Sequence, residues 1–256
     1  MTSLLRPVFE RLYERRFASS AIGGFRGVFP SFAQANLSTP KTKPVGFNIE
    51  EYAKEFSDRR GKVFSFDYPV MLWLQKLLSE NCVIFDYGGH LGTHFYAYAQ
   101  YLSYPDELRW IVCDLPLITR AGKELALKMN ARRLDFVNNF DSAERSNILI
   151  AAGSLQYIEN PPLCQLLRGL DRRPAHLLLN KLPLYDGPQF VTLQNGGPSF
   201  HAQYVFNRRE FIDGLEAIGY HLKDQWTVET HSGYIPFHPE SSFPYHSGLY
   251  LSLDPP

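Results

Sequence analysis

The chain has 256 residues and a mass of 29.4 kDa, which fits one large domain or one domain with an appendage. Its 45% hydrophobic and 20% charged residues exclude a disordered, collagenous or coiled-coil protein. The 26 basic and 26 acidic residues balance, which disfavours a nucleic-acid or anionic-membrane partner. Three cysteines without C-x-x-C spacing, Cys82, Cys113 and Cys164, argue against a disulfide framework or a zinc site and predict a cytoplasmic protein.

The first 80 residues favour helices separated by irregular segments, and no stretch has the apolar length that crosses a bilayer. The pattern predicts helices near 4–18, 48–59 and 68–80, with a stretch rich in Pro and Gly over 23–46. We therefore expect an N-terminal helical cap over residues 1–80.

From residue 81 the pattern changes to short apolar runs that alternate with helical stretches, which is typical of a parallel sheet wound by helices. The predicted strands are 82–86, 110–114, 134–138, 147–151 and 176–180, and the predicted helices are 92–103, 116–129 and 161–170. Residues 81–256 are thus predicted to form an α/β domain with a doubly wound sheet.

The alternation breaks after the fifth strand, where residues 183–206 are too polar and too rich in Gly and Pro for a crossover helix. We expect a long functional loop there. A helix then fits 207–218, and strands at 222–229 and 247–253 can form an antiparallel pair at the edge of the sheet.

The most informative motif is IFDYGGHLG, in which the first strand ends at Asp86 and Gly88, Gly89 and Gly92 precede a helix. Glycines allow a ligand to approach the backbone, and a helix N-terminus favours anionic groups. Tyr87 occupies the first position of the dinucleotide fingerprint G-x-G-x-x-G, so that fingerprint is broken. A carboxylate at Asp86 repels a pyrophosphate but can hold the amino group of S-adenosylmethionine; the alternative is an ordinary tight turn.

Polar residues also follow the next three strands. Asp114 can accept hydrogen bonds from both hydroxyls of an adenosine ribose, or it can cap the helix that begins at Pro116. Asn138 or Asn139 can bind an adenine amino group, and the AAGSLQYI segment after the fourth strand can lie under a bound nucleoside.

In these motifs the chain resembles class I S-adenosylmethionine-dependent methyltransferases, and in FSFDYP and SLQYIENP it resembles a methyltransferase family associated with bacterial polysaccharide or secondary-metabolite genes. The resemblance covers about residues 60–253. It implies a Rossmann-like sheet with an antiparallel terminal strand pair and S-adenosyl-L-methionine as cofactor. The implied cofactor-binding residues are Asp86, Gly88, Gly89, Gly92, His94, Asp114, Leu115, Asn138, Asn139, Ser154 and Leu155.

Many small-molecule O-methyltransferases have a catalytic His after the fourth strand, whereas this chain has Gln156 and Tyr157. Gln is not a proton acceptor at ordinary pH, so either the base lies elsewhere or the acceptor is intrinsically nucleophilic. His201 in the insertion is the candidate general base, and Gln156 and Tyr157 are the other candidate catalytic residues. Lys181, Asn195 and Tyr204 are the candidate substrate-binding residues. The eight histidines form no H-x-x-x-H or H-E-x-x-H pair, so no metal site is expected.

The sequence thus predicts an enzyme that moves a methyl group from S-adenosylmethionine to an O or N atom of a small molecule, such as a secondary metabolite or a sugar precursor. Two alternatives remain: an NAD-dependent oxidoreductase, and a catalytically silent nucleoside-binding or partner protein with the same fold. The expected partner is the small-molecule acceptor, and assembly as a homodimer is left open.

Overall fold

The computed structural model describes residues 5–19, 23–55, 61–159 and 161–253. Its helices are α1 (Arg6–Ser19), α2 (Phe32–Leu37), α3 (Glu50–Glu55), α4 (Tyr68–Leu77), α5 (Thr93–Tyr98), α6 (Pro116–Lys128), α7 (Leu163–Arg168) and α8 (Arg208–Glu216). Its strands are β1 (Phe25–Phe29), β2 (Val83–Tyr87), β3 (Arg109–Cys113), β4 (Leu134–Val137), β5 (Ile148–Ala152), β6 (His176–Leu182), β7 (Leu184–Tyr185), β8 (Phe190–Asn195), β9 (Phe200–Asn207), β10 (His221–Val228) and β11 (His246–Ser252).

Seven of these strands form the main sheet, in the order β10-β11-β6-β5-β2-β3-β4. Strands β2 to β6 pair in parallel, whereas β11 runs antiparallel to both β6 and β10. The Rossmann-like sheet with an antiparallel terminal pair is therefore confirmed. All seven predicted strands lie within two residues of the observed ones.

The main sheet is covered on both faces, because successive side chains of each strand point to opposite sides. Phe85 and Ile111 belong to one hydrophobic cluster, and Ile84 and Trp110 belong to the other. Cys113 in β3 and Cys82, which directly precedes β2, are both buried, as their sequence context predicts. No helix in the described part of the chain combines the length and apolarity needed to cross a membrane.

A second sheet, here called the cap sheet, has the strand order β1-β8-β9-β7. The prediction of a long loop over 183–206 was wrong, because β8 and β9 form an antiparallel hairpin. Three of the six Gly and Pro residues that suggested a loop lie in the connection between those two strands, at 196–198, and the other three precede β8. Strand β1 comes from the N-terminal region, which was expected to hold only helices and irregular segments, and it pairs with β8.

The two faces of the cap sheet differ in what they contact. The outer face carries Leu193 and Phe200, which pack on Phe17 of α1, and Ala202, which packs on Phe32 of α2. The inner face carries His201, Gln203 and Val205, at alternate positions of β9. This inner face is turned toward the main sheet, since β9 packs on the turn that follows β5.

Candidate functional site

The turn after β2 meets the turn after β5 in direct contact. Gly88 has φ of +76°, and a Cβ added there would lie 2.2 Å from Cβ of Ser154. Ser154 in turn donates a hydrogen bond from Oγ to the carbonyl oxygen of Tyr87, at 2.5 Å. Glycine is required at position 88 for both backbone angle and space, because any larger side chain would separate the two turns.

Asp86 is fully buried and lies beneath residues 88–92, here called the glycine turn. Its carboxylate bonds to Nδ1 of His94 at 3.0 Å and accepts from Nε1 of Trp110 at 3.1 Å. A Cβ added at Gly89 would lie 2.4 Å from Cγ of Asp86, so the turn closes directly over the carboxylate. Asp86 and His94 are thus placed to fix the shape of the turn. The Asp86 carboxylate is enclosed beneath the turn and is not exposed on the side where a ligand would bind.

Gly92 ends the glycine turn as the residue that caps α5, with φ of +84°. His90 within the turn also has a positive φ, of 57°, which is uncommon for a residue with a side chain. The backbone N–H of His90 donates to Oδ2 of Asp114 at 2.9 Å. This bond ties the glycine turn to the end of β3.

Asp114 follows β3 and has two backbone hydrogen bonds, from His90 to Oδ2 and from Leu115 to Oδ1, at 2.9 and 2.7 Å. Burial raises the pKa of this carboxyl group to about 6, although the two backbone donors oppose the shift. A carboxylate oxygen has two lone-pair sites, so each oxygen keeps one for a further donor. Asp114 can therefore accept hydrogen bonds from two neighbouring hydroxyl groups.

The residues after β4 extend the same edge. Asn138 donates from Nδ2 to the carbonyl oxygen of Asp114 at 2.7 Å and to Oγ1 of Thr119 at 2.8 Å. Asn139 accepts from the backbone N–H of Ser142 through Oδ1, and it thereby caps a short 3-10 helix. Both asparagines are exposed. Oδ1 of Asn138 accepts no hydrogen bond from the described residues.

The turn after β5 presents Leu155, Gln156 and Tyr157 as one turn of 3-10 helix. Gln156 is 3% exposed, its Nε2 donates to the carbonyl oxygen of Lys181 at 3.4 Å, and its Oε1 has no hydrogen-bond partner within the described ranges. Tyr157 donates from its hydroxyl to Oε1 of Gln194 on the inner face of the cap sheet, at 2.7 Å. This turn therefore lies between the main sheet and the cap sheet.

His201 lies on the inner face of the cap sheet and is 2% exposed. Its Nε2 bonds to the hydroxyl of Tyr52 at 2.8 Å, and its ring stacks on Phe47 with centroids 3.6 Å apart. Nδ1 has no hydrogen-bond partner in the part of the chain that the structure describes. Burial lowers the pKa of the imidazole to about 4, so His201 is neutral at pH 7.

The three candidate substrate-binding residues lie in different places. Lys181 follows Asn180 at the carboxyl end of β6, has φ of 55°, and holds Nζ 5.1 Å from the centre of the Phe66 ring. Asn195 donates to the carbonyl oxygen of Phe17, on the outer face of the cap sheet. Tyr204 is also on that face, where its ring packs edge-on against Phe32. Strand alternation thus separates Asn195 and Tyr204 from His201, and the structure does not bring these two residues to the inner face.

Sequence reasoning missed Phe47, Tyr52 and Gln203, which contact or flank His201. The period-two pattern HAQYVF carries a usable signal, because it would place residues 201, 203 and 205 on one face of a strand. No group of three His, Cys, Asp or Glu side chains in the described ranges is arranged to hold a metal ion.

No protein-family model matches the sequence, and no curated protein matches it. Solved structures do match. An S-adenosylmethionine-dependent methyltransferase of Aquifex aeolicus is 14% identical, with a TM-score of 0.51 over 82% of this chain and 100% of its own. One from Clostridium acetobutylicum is 9% identical, with a TM-score of 0.50 over 80% and 99%. A methyltransferase of Haloferax volcanii, solved with the Trm112 methyltransferase activator, is 13% identical, with a TM-score of 0.50 over 81% and 95%.

The chain has the class I methyltransferase fold. Asp86 lies near the end of β2, and Asp114, Asn138 and Ser154 come after β3, β4 and β5. Because these strands are parallel, all four residues lie at the carboxyl edge of the sheet, where open α/β sheets bind their ligands.

Proposed function

We propose that the protein is a cytoplasmic methyltransferase that transfers the methyl group of S-adenosylmethionine to an O or N atom of a small molecule. The observation that supports it most directly is the carboxylate of Asp114, which is anchored by two backbone donors and still has a lone pair on each oxygen. A ribose presents two neighbouring hydroxyl donors, which match these two acceptors. Asp114 stands beside the glycine turn, so a nucleoside bound there extends over Gly88 and Gly89.

The residues at this edge fit an S-adenosylmethionine molecule better than a dinucleotide. Tyr87 replaces the first glycine of the dinucleotide fingerprint, and the buried carboxylate of Asp86 lies directly under the turn where a pyrophosphate would bind. Asn138 can accept a hydrogen bond from an adenine amino group through Oδ1. The antiparallel pair of β10 and β11 also departs from an all-parallel dinucleotide-binding sheet.

When bound, the cofactor supplies a sulfonium-activated methyl group, so the protein must align a nucleophile with it and exclude water. We assign the exclusion of water to two parts of the protein that lie beyond the ends of β5 and β6. These are the turn that carries Gln156 and Tyr157, and the inner face of the cap sheet. Gln156 positions the acceptor through Oε1. Lys181 lies at the carboxyl end of β6, at the margin of this space.

His201 is our candidate for the group that receives the acceptor's proton. When its Nε2–H donates to the Tyr52 oxygen, Nδ1 carries a lone pair and has no partner among the described residues. In transfer to a hydroxyl or amine, the nucleophile forms a bond to the methyl carbon as the carbon–sulfur bond breaks. Nδ1 of His201 then takes the proton that the nucleophile releases.

Calorimetric titration with S-adenosylhomocysteine and with NAD tests the proposal. We expect S-adenosylhomocysteine to bind at one site per chain and NAD to give no heat of binding. Binding of NAD without S-adenosylhomocysteine would instead support an oxidoreductase. If S-adenosylhomocysteine binds but no methyl group is transferred to a panel of hydroxyl and amine acceptors, the silent nucleoside-binding alternative is favoured.

A further inference from the structure

Gln203 is a buried amide whose hydrogen-bonding capacity is unused. Its side chain is 1% exposed, yet neither Oε1 nor Nε2 has a hydrogen-bond partner among the residues that the structure describes. Leaving a buried polar group unpaired costs about 1–3 kcal/mol, and native proteins avoid it. Thr192, which lies opposite on β8, is satisfied by contrast, because its Oγ1 donates to the carbonyl oxygen of Gly27 at 2.8 Å.

The position of Gln203 places it in the middle of the inner face of the cap sheet. Two residues before it, His201 contacts the ring of Tyr157, which lies in the turn after β5 of the main sheet. Two residues after it, Val205 packs with Ile235 and Phe243 of the loop before β11. Gln203 therefore lies between two contacts that hold the cap against the main domain, on the side where the proposed acceptor binds.

Two further polar atoms near this interface also lack partners in the described ranges, Nδ1 of His201 and Oε1 of Gln156. Like Gln203, both belong to buried side chains. All three side chains are uncharged at pH 7, because burial keeps His201 neutral. Together they offer hydrogen-bond donors and acceptors but no charge.

We propose that Gln203 is a binding residue for the methyl acceptor, and that the acceptor is an uncharged molecule with an adjacent donor and acceptor, such as an amide or a vicinal diol. The identification of the ligand as the methyl acceptor rests on the proposed function, whereas the binding site at Gln203 does not. The side-chain amide of Gln203 pairs with such an edge through two hydrogen bonds. The inner-face residues of β9, which are His201, Gln203 and Val205, carry no positive charge to offset the lost hydration of a carboxylate or phosphate, so an uncharged ligand is favoured over an anion at Gln203.

The stability of the unliganded protein tests whether the amide is unpaired. Gln203→Met removes both polar atoms at similar volume, and we expect it to raise the Tm by about 2–4 °C. Gln203→Leu serves as a second apolar variant and should shift the Tm in the same direction. Thr192→Val is the matched control, and it should lower the Tm because it removes a satisfied hydroxyl. A lower Tm in both Gln203 variants would overturn the inference.

The ligand class is tested with acetamide and acetate, which have nearly the same shape and differ in charge. In saturation-transfer NMR at equal concentration and saturating S-adenosylhomocysteine, we expect a signal from acetamide that disappears in Gln203→Met, and none from acetate. Equal signals from both probes, an acetamide signal that survives in Gln203→Met, or no acetamide signal from the wild type would overturn the inference.

Calorimetry with S-adenosylhomocysteine on the wild type and on Gln203→Met separates this inference from the proposed function. Equal affinity for both proteins is expected, since Gln203 belongs to the cap sheet and not to the glycine turn. Absence of binding to the wild type would refute the proposed cofactor, while the Tm shifts, and the acetamide signals recorded without S-adenosylhomocysteine, would still decide the role of Gln203.

Discussion

Tyr157 donates a hydrogen bond of 2.7 Å to Gln194, and this bond joins the turn at the carboxyl end of β5 to the inner face of the cap sheet. Tyr157 also packs edge-on against Phe47 and His201. The turn expected to line the methyl-transfer site is therefore tied directly to the cap.

Replacing Tyr157 with Phe should weaken this connection. The substitution removes the donor and leaves Oε1 of Gln194 without it, so we expect the free energy of unfolding to fall by about 1 kcal/mol. Urea denaturation measures this loss. Tyr101→Phe is the control, because Tyr101 is 61% exposed and its hydroxyl should contribute less than about 0.5 kcal/mol. An unchanged stability in Tyr157→Phe would mean that the bond does not hold the cap.

Gly89 should tolerate no side chain. In Gly89→Ala the new Cβ would meet the buried carboxylate of Asp86, and overpacking of this kind costs about 1–3 kcal/mol. Gly169→Ala is the matched control, because its Cβ would have no neighbour closer than 3.4 Å and its φ is −75°. Thermal unfolding of the two variants compares them. Equal destabilisation would contradict the close contact between Gly89 and Asp86.

The pH dependence of turnover tests His201 as the base. A base must be deprotonated, and burial lowers the pKa of His201 to about 4. We therefore expect kcat at saturating cofactor to stay constant from pH 8 down to about 5 rather than to fall near 6.5, the pKa of an exposed histidine. His201→Ala should lower kcat by about 10²–10⁴-fold and leave the affinity for S-adenosylhomocysteine unchanged. An unaltered kcat would remove His201 from the mechanism and favour positioning by Gln156.

Chelation should leave methyl transfer intact. The residues proposed for the reaction use hydrogen bonding and alignment, and none of them has the spacing of a metal-binding motif. Activity is measured before and after treatment with EDTA and gel filtration. A loss that a divalent ion restores would contradict this account.

The main sheet could be predicted from the sequence because its strands are short apolar runs that alternate with amphipathic helices. CVIFD and WIVCD each end in a carboxylate, and parallel strands bring such ends to one edge. The placement of Asp114 beside the glycine turn followed from this rule. The hydrogen bonds of Asp86 did not, since nothing in the local sequence indicates that Trp110 and His94 enclose its carboxylate.

The cap sheet could not be predicted in the same way, because its strand pairing joins segments far apart in the chain. Strand β1 pairs with β8, so that Phe25 lies opposite Gln194. The polar residues of β8 and β9 suggested a loop, yet Gln194, His201 and Gln203 lie on the inner face of a paired sheet, which is turned toward the main sheet. The side of the strand on which Asn195 and Tyr204 lie depends on where β8 and β9 begin and pair, which composition alone does not specify.

The affinity of S-adenosylhomocysteine for Asp114→Ala, measured by calorimetry at pH 7.5, tests the central claim most directly. Loss of charge-assisted hydrogen bonds to the ribose should cost on the order of 1.5–3 kcal/mol, or about 10–150-fold in Kd. Wild-type affinity should also weaken as the pH falls below about 6, where the Asp114 carboxyl is protonated in the free protein. The control is Asp135→Ala, because this side chain is 56% exposed and pairs with Arg109. The account predicts weak binding in Asp114→Ala and normal binding in Asp135→Ala; wild-type affinity in Asp114→Ala would contradict it.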